Sequence, residues 1–479
     1  MKRFSRREVL RYAGLAAGGV TLAACQPKVV EKIVKETVVV EQEVEKVVKE
    51  TVVVTEEKIV KETVIAPAKA GLKGELRAFV AAGAPVEPVH ELLSASMTGR
   101  YPDVSVKFEY IVGDLAEKVY TQAAAGTLPD VVHTADLFVV PFANNAVTLD
   151  LKPMAEADPE INLDDVFPSM LGLGTFGGQV HMFPSALDVV TMYYNKTLFE
   201  QVGAELPQEN WTWDDFIREG EKFKEFEKDP QGNPMYWILS NGTWNWWATV
   251  YPWVVGYGGK IKTDDGTQST WSDPKTLDAM KAYTAMWTEH KIAQPLGVDV
   301  GGDSFQLGRA AVWCHIQGVR PMLKTNVADK FEWDIQLMPT MPDGKRRTGM
   351  GTWGISVFSG SKMKEAAYEY VKYLITPACQ KLLAQKGMSV PLLRSVAEDP
   401  SWTESVAPPP QNLMAYVNGA DDAVLPIVDY PADCGSFYTG MVNQAYVAAL
   451  EAVIRGEKGA EEAFSECDNT IQRCLDENL

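Results

Sequence analysis

An α/β body with a mostly parallel sheet is the fold the sequence predicts, and three observations carry it. Short apolar strands alternate with amphipathic helices from Leu72 onward. Of the 479 residues, 46% are hydrophobic and 10% aromatic, too much apolar material for a disordered chain and too long a chain for one ordinary domain. Cap and proline signals stand at the ends of the helical patterns.

Taken in order, residues 76–81 read as a strand, 90–98 as a helix, 104–110 as a strand and 115–125 as a helix, and Pro129-Asp130-Val131-Val132 begins the next strand. Such a βαβα order places ligands at the carboxyl ends of the strands. Later helices are predicted over 213–227, 274–290, 362–375 and 444–455. Thr212 with Asp215 three residues on makes a capping box at the first of these, and Thr376-Pro377 stops the third.

Upstream of the body the chain opens with Lys2, Arg3, Arg6, Arg7 and Arg11 and then runs uncharged from residue 12 to 24. A cationic start followed by a short apolar stretch reads as an export signal. As a helix the stretch would span only ~20 Å, short of the ~30 Å hydrocarbon core, so it is no permanent membrane span. Ser5-Arg6-Arg7-Glu8-Val9-Leu10 resembles the twin-arginine export motif, and Leu22-Ala23-Ala24-Cys25 resembles a bacterial lipobox. Residues 1–24 are therefore expected to be a signal peptide, and Cys25 the lipid attachment that anchors the chain to the outer face of the cytoplasmic membrane. The cysteines that remain are Cys314, Cys379, Cys434, Cys467 and Cys474, an odd set read as packing residues or at most one bridge. Cys467 and Cys474 lie ~10.5 Å apart along a helix, too far to bridge within it.

Residues 25–71 read as a stalk. Val30-Glu31-Lys32-Ile33-Val34-Lys35-Glu36-Thr37-Val38 recurs fourteen positions later, at residues 44–52. Residues 30, 33, 37, 40, 44, 47, 51 and 54 fall at alternating spacings of three and four, a coiled-coil seam with β-branched positions. Val and Thr are weak helix formers and a third copy, over residues 57–64, breaks the register, which fits an extended tether equally.

Several function classes find no support. Net charge is −19, and the first 70 residues hold 13 Lys and Arg against 10 Asp and Glu, leaving 32 against 54 in the body. Nucleic acid is a poor partner for so acidic a surface. Gly172-Leu173-Gly174-Thr175-Phe176-Gly177 matches GxGxxG, but a strand follows rather than a helix, so a turn is expected and no nucleotide cofactor. His90, His133, His181, His290 and His315 show no ligand spacing, so no metal is expected. No GxSxG elbow occurs. The pairs Asp214-Asp215, Asp264-Asp265 and Asp421-Asp422 sit at helix starts or turns.

Seven of the 13 tryptophans lie between Trp211 and Trp253, including Trp244-Asn245-Trp246-Trp247. Adjacent indoles cannot all face one core, so some offer stacking area while neighbouring amides meet hydroxyls. In the same region Met192-Tyr193-Tyr194-Asn195-Lys196-Thr197-Leu198-Phe199, then Gly203, Pro207 and Thr212-Trp213-Asp214-Asp215-Phe216, resembles the signature of the sugar-type extracellular solute-binding proteins of ABC importers. Gly126-Thr127-Leu128-Pro129-Asp130-Val131, Gly308-Arg309-Ala310-Ala311 and Lys364-Glu365-Ala366-Ala367 fit the same family in order and spacing.

The resemblance implies a maltose-binding-protein-like fold of the two-lobed periplasmic-binding type, with three hinge crossings. The N-lobe is then 72–185 and 357–390, the C-lobe 190–352 and 393–479, and the crossings lie near 186–189, 353–356 and 390–392. Pro184 and Pro391 suit the hinge ends, where a fixed φ sets chain direction.

By position the resemblance puts Thr134 and Asp136 at the cleft after a strand, Asp188 at the first crossing and Trp353 at the second. Trp244, Asn245, Trp246 and Trp247 line the C-lobe wall. Gln317 and Arg320 follow the helix expected at Gly308-Arg309-Ala310-Ala311, and Phe437 and Tyr438 begin the late helix. Asp136, Asp188, Asn245 and Gln317 would hold hydroxyls while the indoles and Tyr438 stack on sugar faces. The implied function is capture of a mono- or oligosaccharide for a membrane permease, with no covalent chemistry. Arg320, where an aromatic is expected, leaves open an anionic ligand such as a sugar phosphate. A secreted glycosidase-type enzyme and a sensor subunit are the other readings.

Overall fold

The computed structural model describes residues 71–82, 86–111, 115–425 and 430–478, together with residues 32–33 and 59–60. Two compact units divide the chain, Met1–Gly71 with Thr98–Pro102, and Leu72–Met97 with Asp103–Leu479. In the first, Lys32–Ile33 pairs antiparallel with Ile59–Val60. At these four residues the backbone is extended and not helical; the export signal, Cys25 and the rest of the repeat lie outside the described residues.

Among the described residues the body holds two larger sheets and a two-stranded hairpin. The first runs β2-β1-β3-β9-β4, from β1 (Gly74–Ala81), β2 (Val104–Ile111), β3 (Val131–Ala135), β4 (Phe183–Pro184) and, from far downstream, β9 (Trp353–Val357). Strand β1 is parallel to β2 and β3, and β9 is antiparallel to β3 and β4. Helices α1 (Val86–Arg100) and α2 (Leu115–Ala124) make the crossovers that parallel pairing requires. Leu76, Ala78, Phe79 and Val80 of β1 are all buried, as in a strand covered on both faces. Val119 of α2 joins Phe79, Leu128, Val132, Phe142, Val147 and Phe358 in one core cluster.

The second sheet runs β6-β7-β5-β8, from β5 (Thr191–Asn195), β6 (Trp237–Leu239), β7 (Ala310–His315) and β8 (Trp333–Gln336). Only β6 and β7 pair in parallel, so this sheet is mixed. Strand β7 replaces the helix expected at Gly308-Arg309-Ala310-Ala311: Ala310 to Cys314 are all buried, as in a strand covered on both faces. The Met192–Phe199 segment has a plain physical content here: β5 ends at Asn195, whose side chain accepts from the Leu198 amide at 2.9 Å and caps the helix Lys196–Val202, which Gly203 closes at φ 71°.

Around these sheets pack α3 (Trp213–Phe226), α4 (Trp247–Gly256), α5 (Pro274–Thr288), α6 (Arg320–Val327), α7 (Lys364–Lys372), α8 (Pro377–Gln385), α9 (Gly440–Ile454) and α10 (Ala460–Asn478). The capping box at α3 is present, with the Thr212 hydroxyl accepting from the Asp215 amide and the Asp215 carboxylate from the Thr212 amide. Thr376-Pro377 ends one helix and starts another, because the Thr376 hydroxyl caps α8, a helix the sequence reading lacks. The GxGxxG stretch is the expected turn: Gly177 and Gly178, at φ 59° and 79°, join two-residue strands in a hairpin.

A disulfide joins Cys434 to Cys474, while Cys314, Cys379 and Cys467 are buried thiols. Phe437, Tyr446 and Phe464 gather round the fully buried Trp271, with ring centroids 5.4 to 6.0 Å from it. Among the described residues no helix is long and apolar enough to cross a membrane.

The chain passes from the first sheet to the second over residues 185–190 and returns before Trp353. The two passages lie side by side: Val189 bridges Met350, the Val190 amide donates to the Gly349 carbonyl at 2.9 Å and the Gly351 amide to the Asp188 carbonyl at 3.1 Å. On the other side the Leu187 amide donates to the Val390 carbonyl at 3.0 Å. This corrects the expected second crossing, since 353–356 already belongs to β9 of the first sheet and the passage is 348–352. Gly349 is required there: a Cβ would stand 1.9 Å from the Ala248 carbonyl oxygen of α4.

Candidate functional site

The residues at the passages meet the loops at the strand ends. Strand β3 delivers Asp136 at its carboxyl end, the place where a parallel sheet presents ligand groups. The passages deliver Asp188, Gly351 and Thr352, and the turn before α4 delivers Trp246, its N-cap residue, and Trp247. Gly351 is the common neighbour. A Cβ built on it would lie 3.3 Å from Asp136 Oδ2, 3.4 Å from Trp246 Cζ2 and 3.9 Å from Trp247 Cζ2.

Aromatic rings line one side of this meeting point. The Trp247 ring meets Tyr438 edge to face at 5.0 Å, and Trp246 lies 5.2 Å from the His315 ring at the end of β7. The Ile316 amide donates to His315 Nδ1, and burial pushes that imidazole down to about 4, so the neutral ring carries its proton on Nε2. Trp246 and Tyr438 remain partly exposed.

Two carboxyls form the polar side. Asp136 accepts from the Leu137 amide at 2.8 Å and from the Thr352 amide at 3.0 Å, and burial pushes it up to about 7. Asp188 accepts from the Thr352 hydroxyl at 3.3 Å and is likewise pushed up to about 7, by burial first and by the Asp136 charge, against hydrogen bonds from Gln317 and Thr352 and the Arg320 charge. Tyr438 is held well above the ordinary phenol range by burial and by the same Asp136. Asp136 and Tyr438 also border a cavity of about 830 Å³ that extends away from the tryptophans, between α2 with residues 137–147 and the turn 435–439. Among the described residues no group of His, Cys, Asp and Glu could hold a metal ion.

The expected site residues therefore divide. Asp136, Asp188, Trp246, Trp247, Gln317 and Tyr438 are brought together through direct contacts or through Gly351 and Thr352. Trp244 and Asn245 stand beside them, their carbonyls accepting from Tyr283 and Tyr446 hydroxyls. Thr134 is fully buried with its hydroxyl on the Val132 carbonyl, so the expectation that it meets ligand is corrected. Phe437 is likewise core, 4.6 Å from Tyr446 and buried against Trp271, and it precedes the helix rather than beginning it, because α9 starts at Gly440. Trp353 lays its ring on His133 at 5.3 Å and His90 at 6.3 Å. Arg320 is 2% exposed, with Nη2 donating to the Gly387 carbonyl at 2.7 Å and Nη1 buried without a partner. Gly351, Thr352 and His315 were missed as site residues; no local pattern marks the first two.

Comparison with known proteins then settles the family. The sequence model of the bacterial extracellular solute-binding proteins matches residues 83–381. The chain belongs to that family. It is 25% identical over 345 residues to a Brucella abortus (strain 2308) protein named as a binding protein, covering 70% of this chain and 80% of the relative. An ABC substrate-binding protein of Listeria monocytogenes, solved in complex with cycloalternan, superposes with TM-score 0.68 at 22% identity, covering 84% of this chain and 98% of that one. The sugar-binding protein MalE of Xanthomonas citri superposes with TM-score 0.71 at 20% identity, with the same coverages. The two-lobed periplasmic-binding fold is thus shared, and an extracellular solute-binding protein works outside the cytoplasm.

Proposed function

We propose that this solute-binding protein is the lipid-anchored substrate-binding subunit of an ABC importer, capturing a mono- or oligosaccharide and delivering it to a membrane permease without covalent chemistry. The observation that carries this reading is the meeting of residues at the buried Gly351: Asp136 and the partly exposed Trp246 come against it, and the partly exposed Tyr438 packs on the buried Trp247 beside them. Indole faces take the C–H faces of a sugar ring, and carboxylates accept from its hydroxyls. The cycloalternan bound in the Listeria structure and the description of the Xanthomonas protein as sugar-binding agree with that chemistry. The lobes would be those expected, with the second crossing at 348–352.

A glycosidase needs its two carboxyls in unlike environments, one raised as the acid and one left ionised. Here burial pushes Asp136 and Asp188 the same way, and Thr352 joins them. That supports a binder over an enzyme. Twin-arginine export and lipidation at Cys25 complete the reading, the disulfide fitting an oxidising compartment.

The test is a titration of the full chain with maltose, cyclic and linear glucans, pentose oligomers and polyols, following tryptophan emission and recovering each compound afterwards. A saturable change with the compound recovered intact is the expected result, and consumption of the compound would refute it. Trp246→Ala should weaken affinity roughly tenfold or more at little cost in stability. For the anchor, Cys25→Ser should leave the protein in the soluble fraction; a serine variant that still pellets with membranes in high salt refutes the lipid site.

A further inference from the structure

The cavity beside Asp136 differs in chemistry from the aromatic floor it adjoins. Its walls are largely hydrocarbon, with Ala123 on α2 and Phe138 packed on the core cluster behind. Phe138 stacks on Phe142 at 5.3 Å. Several polar side chains on the walls are already engaged by the protein, while the buried Tyr430 hydroxyl has no partner. Asn145 Nδ2 donates to the Pro141 carbonyl at 2.9 Å, Ser359 Oγ donates to the Ala146 carbonyl at 2.5 Å, and Ser436 Oγ accepts from the Tyr438 and Thr439 amides. Asp136 is the single charged residue among the described lining residues, and it stands at the border with Gly351.

A sugar ring pushed into this space would find few partners for its hydroxyls, an outcome that buried polar groups avoid. An apolar group would lose its water contact and gain wall contacts instead. At about 830 Å³ the space is also too large to be a packing defect.

We propose that this cavity is a second subsite, taking the uncharged apolar aglycone of a glycoside whose sugar sits against the partly exposed Trp246 and Tyr438. Asp136 and Tyr438, which border both regions, mark the point where the glycosidic link would lie. The inference rests on the sugar-binding reading above and narrows its substrate class to amphipathic glycosides.

The test uses the full chain and N-phenyl-1-naphthylamine, an uncharged probe whose emission rises when it leaves water. One saturable site is expected, weakened at least tenfold in Ala123→Trp, which fills the cavity. Ala116→Trp, on the same wall and away from the core cluster, carries the comparison if Ala123→Trp does not fold. The phenyl glycoside of whichever sugar binds should bind at least tenfold tighter than the free sugar and displace the probe, while the free sugar does not. Probe binding that both folded variants leave unchanged overturns the proposal. So does a phenyl glycoside that binds no tighter than its sugar, with the sugar reading intact. A chain that binds the probe but no sugar or glycoside overturns both readings together.

Discussion

Asp136 and Asp188 are joined by one residue: Thr352 donates its amide to Asp136 at 3.0 Å and its hydroxyl to Asp188 at 3.3 Å. Asp136 belongs to the end of a strand in the first sheet, and Asp188 to a passage between the sheets. Their linkage therefore ties the carboxyl at the strand end to the passage between the sheets.

Burial raises both carboxyls to about 7, far above the ordinary 3.8. An acid raised in the folded state binds more protons folded than unfolded between those values. Its contribution to stability is complete below about pH 4 and is lost as pH rises through about 7. The ligand has the opposite preference, because only the ionised carboxylate offers every oxygen lone pair to sugar hydroxyls. Lowering the pH from about 8.5 to about 5.5 should raise the melting temperature of the free protein and weaken sugar binding, by up to about tenfold per pH unit for each carboxylate that must ionise. Calorimetric melting and titration across that range check both trends, and Asp136→Asn with Asp188→Asn should flatten them. An affinity independent of pH would remove the carboxylates from the binding site.

Thr352→Val removes the hydroxyl and keeps the amide, so it separates the two carboxyls. Asp188 loses a donor that favours its ionised form, and its titration should move further up, while Asp136 keeps its amide bond. Sugar affinity should fall by roughly the worth of one hydrogen bond, ~0.5–1.5 kcal/mol, with the midpoint of its pH dependence displaced upward. Thr352→Ser should restore both. A valine variant with an unmoved midpoint would mean that the hydroxyl rests on the Trp353 carbonyl, 3.0 Å away, and not on Asp188.

Which parts of this site the sequence discloses follows from what each residue does. Asp136 is legible because βαβ order fixes where a strand's carboxyl end lies, and the density of tryptophans points to the C-lobe wall. Density alone misleads as well: Trp211, Trp213, Trp237 and Trp253 are core, and Trp213 and Trp253 pack at 4.6 Å. Phe437 and Tyr438 are neighbours in a turn, where no period tells which faces inward, and only Tyr438 reaches the cleft. Thr134 lies within β3, and its hydroxyl stays on that strand's own backbone. Gly351 and Thr352 act through a missing side chain and a shared amide, properties that appear only once the passages are side by side. The same holds for α8, whose cap is the very Thr-Pro that reads as a stop.

The Cys434–Cys474 bond precedes the turn that carries Tyr438 and ties it to the last helix, across a sequence separation of 40 residues. On the chain-entropy relation a loop of that length contributes roughly 4 kcal/mol by restricting the unfolded chain. Reduction, or Cys434→Ser with Cys474→Ser, should therefore lower the melting temperature. It should also weaken ligand binding, because the Tyr438 ring loses the anchor that holds it at 5.0 Å from Trp247. The remaining thiols supply the control. Cys314 and Cys379 are buried and pushed up to about 12, and burial also raises Cys467, so none offers a reactive thiolate near neutral pH. Cys434 and Cys474 are as buried as these thiols, so alkylation after mild reduction reaches them once the broken bridge frees the turn; among the cysteines of the body they should be the ones labelled, and peptide mass mapping reads this directly. Labelling at Cys467 of α10 under the same conditions would mean that the bridge supports the whole helix pair; binding would then fail with the fold and not through Tyr438.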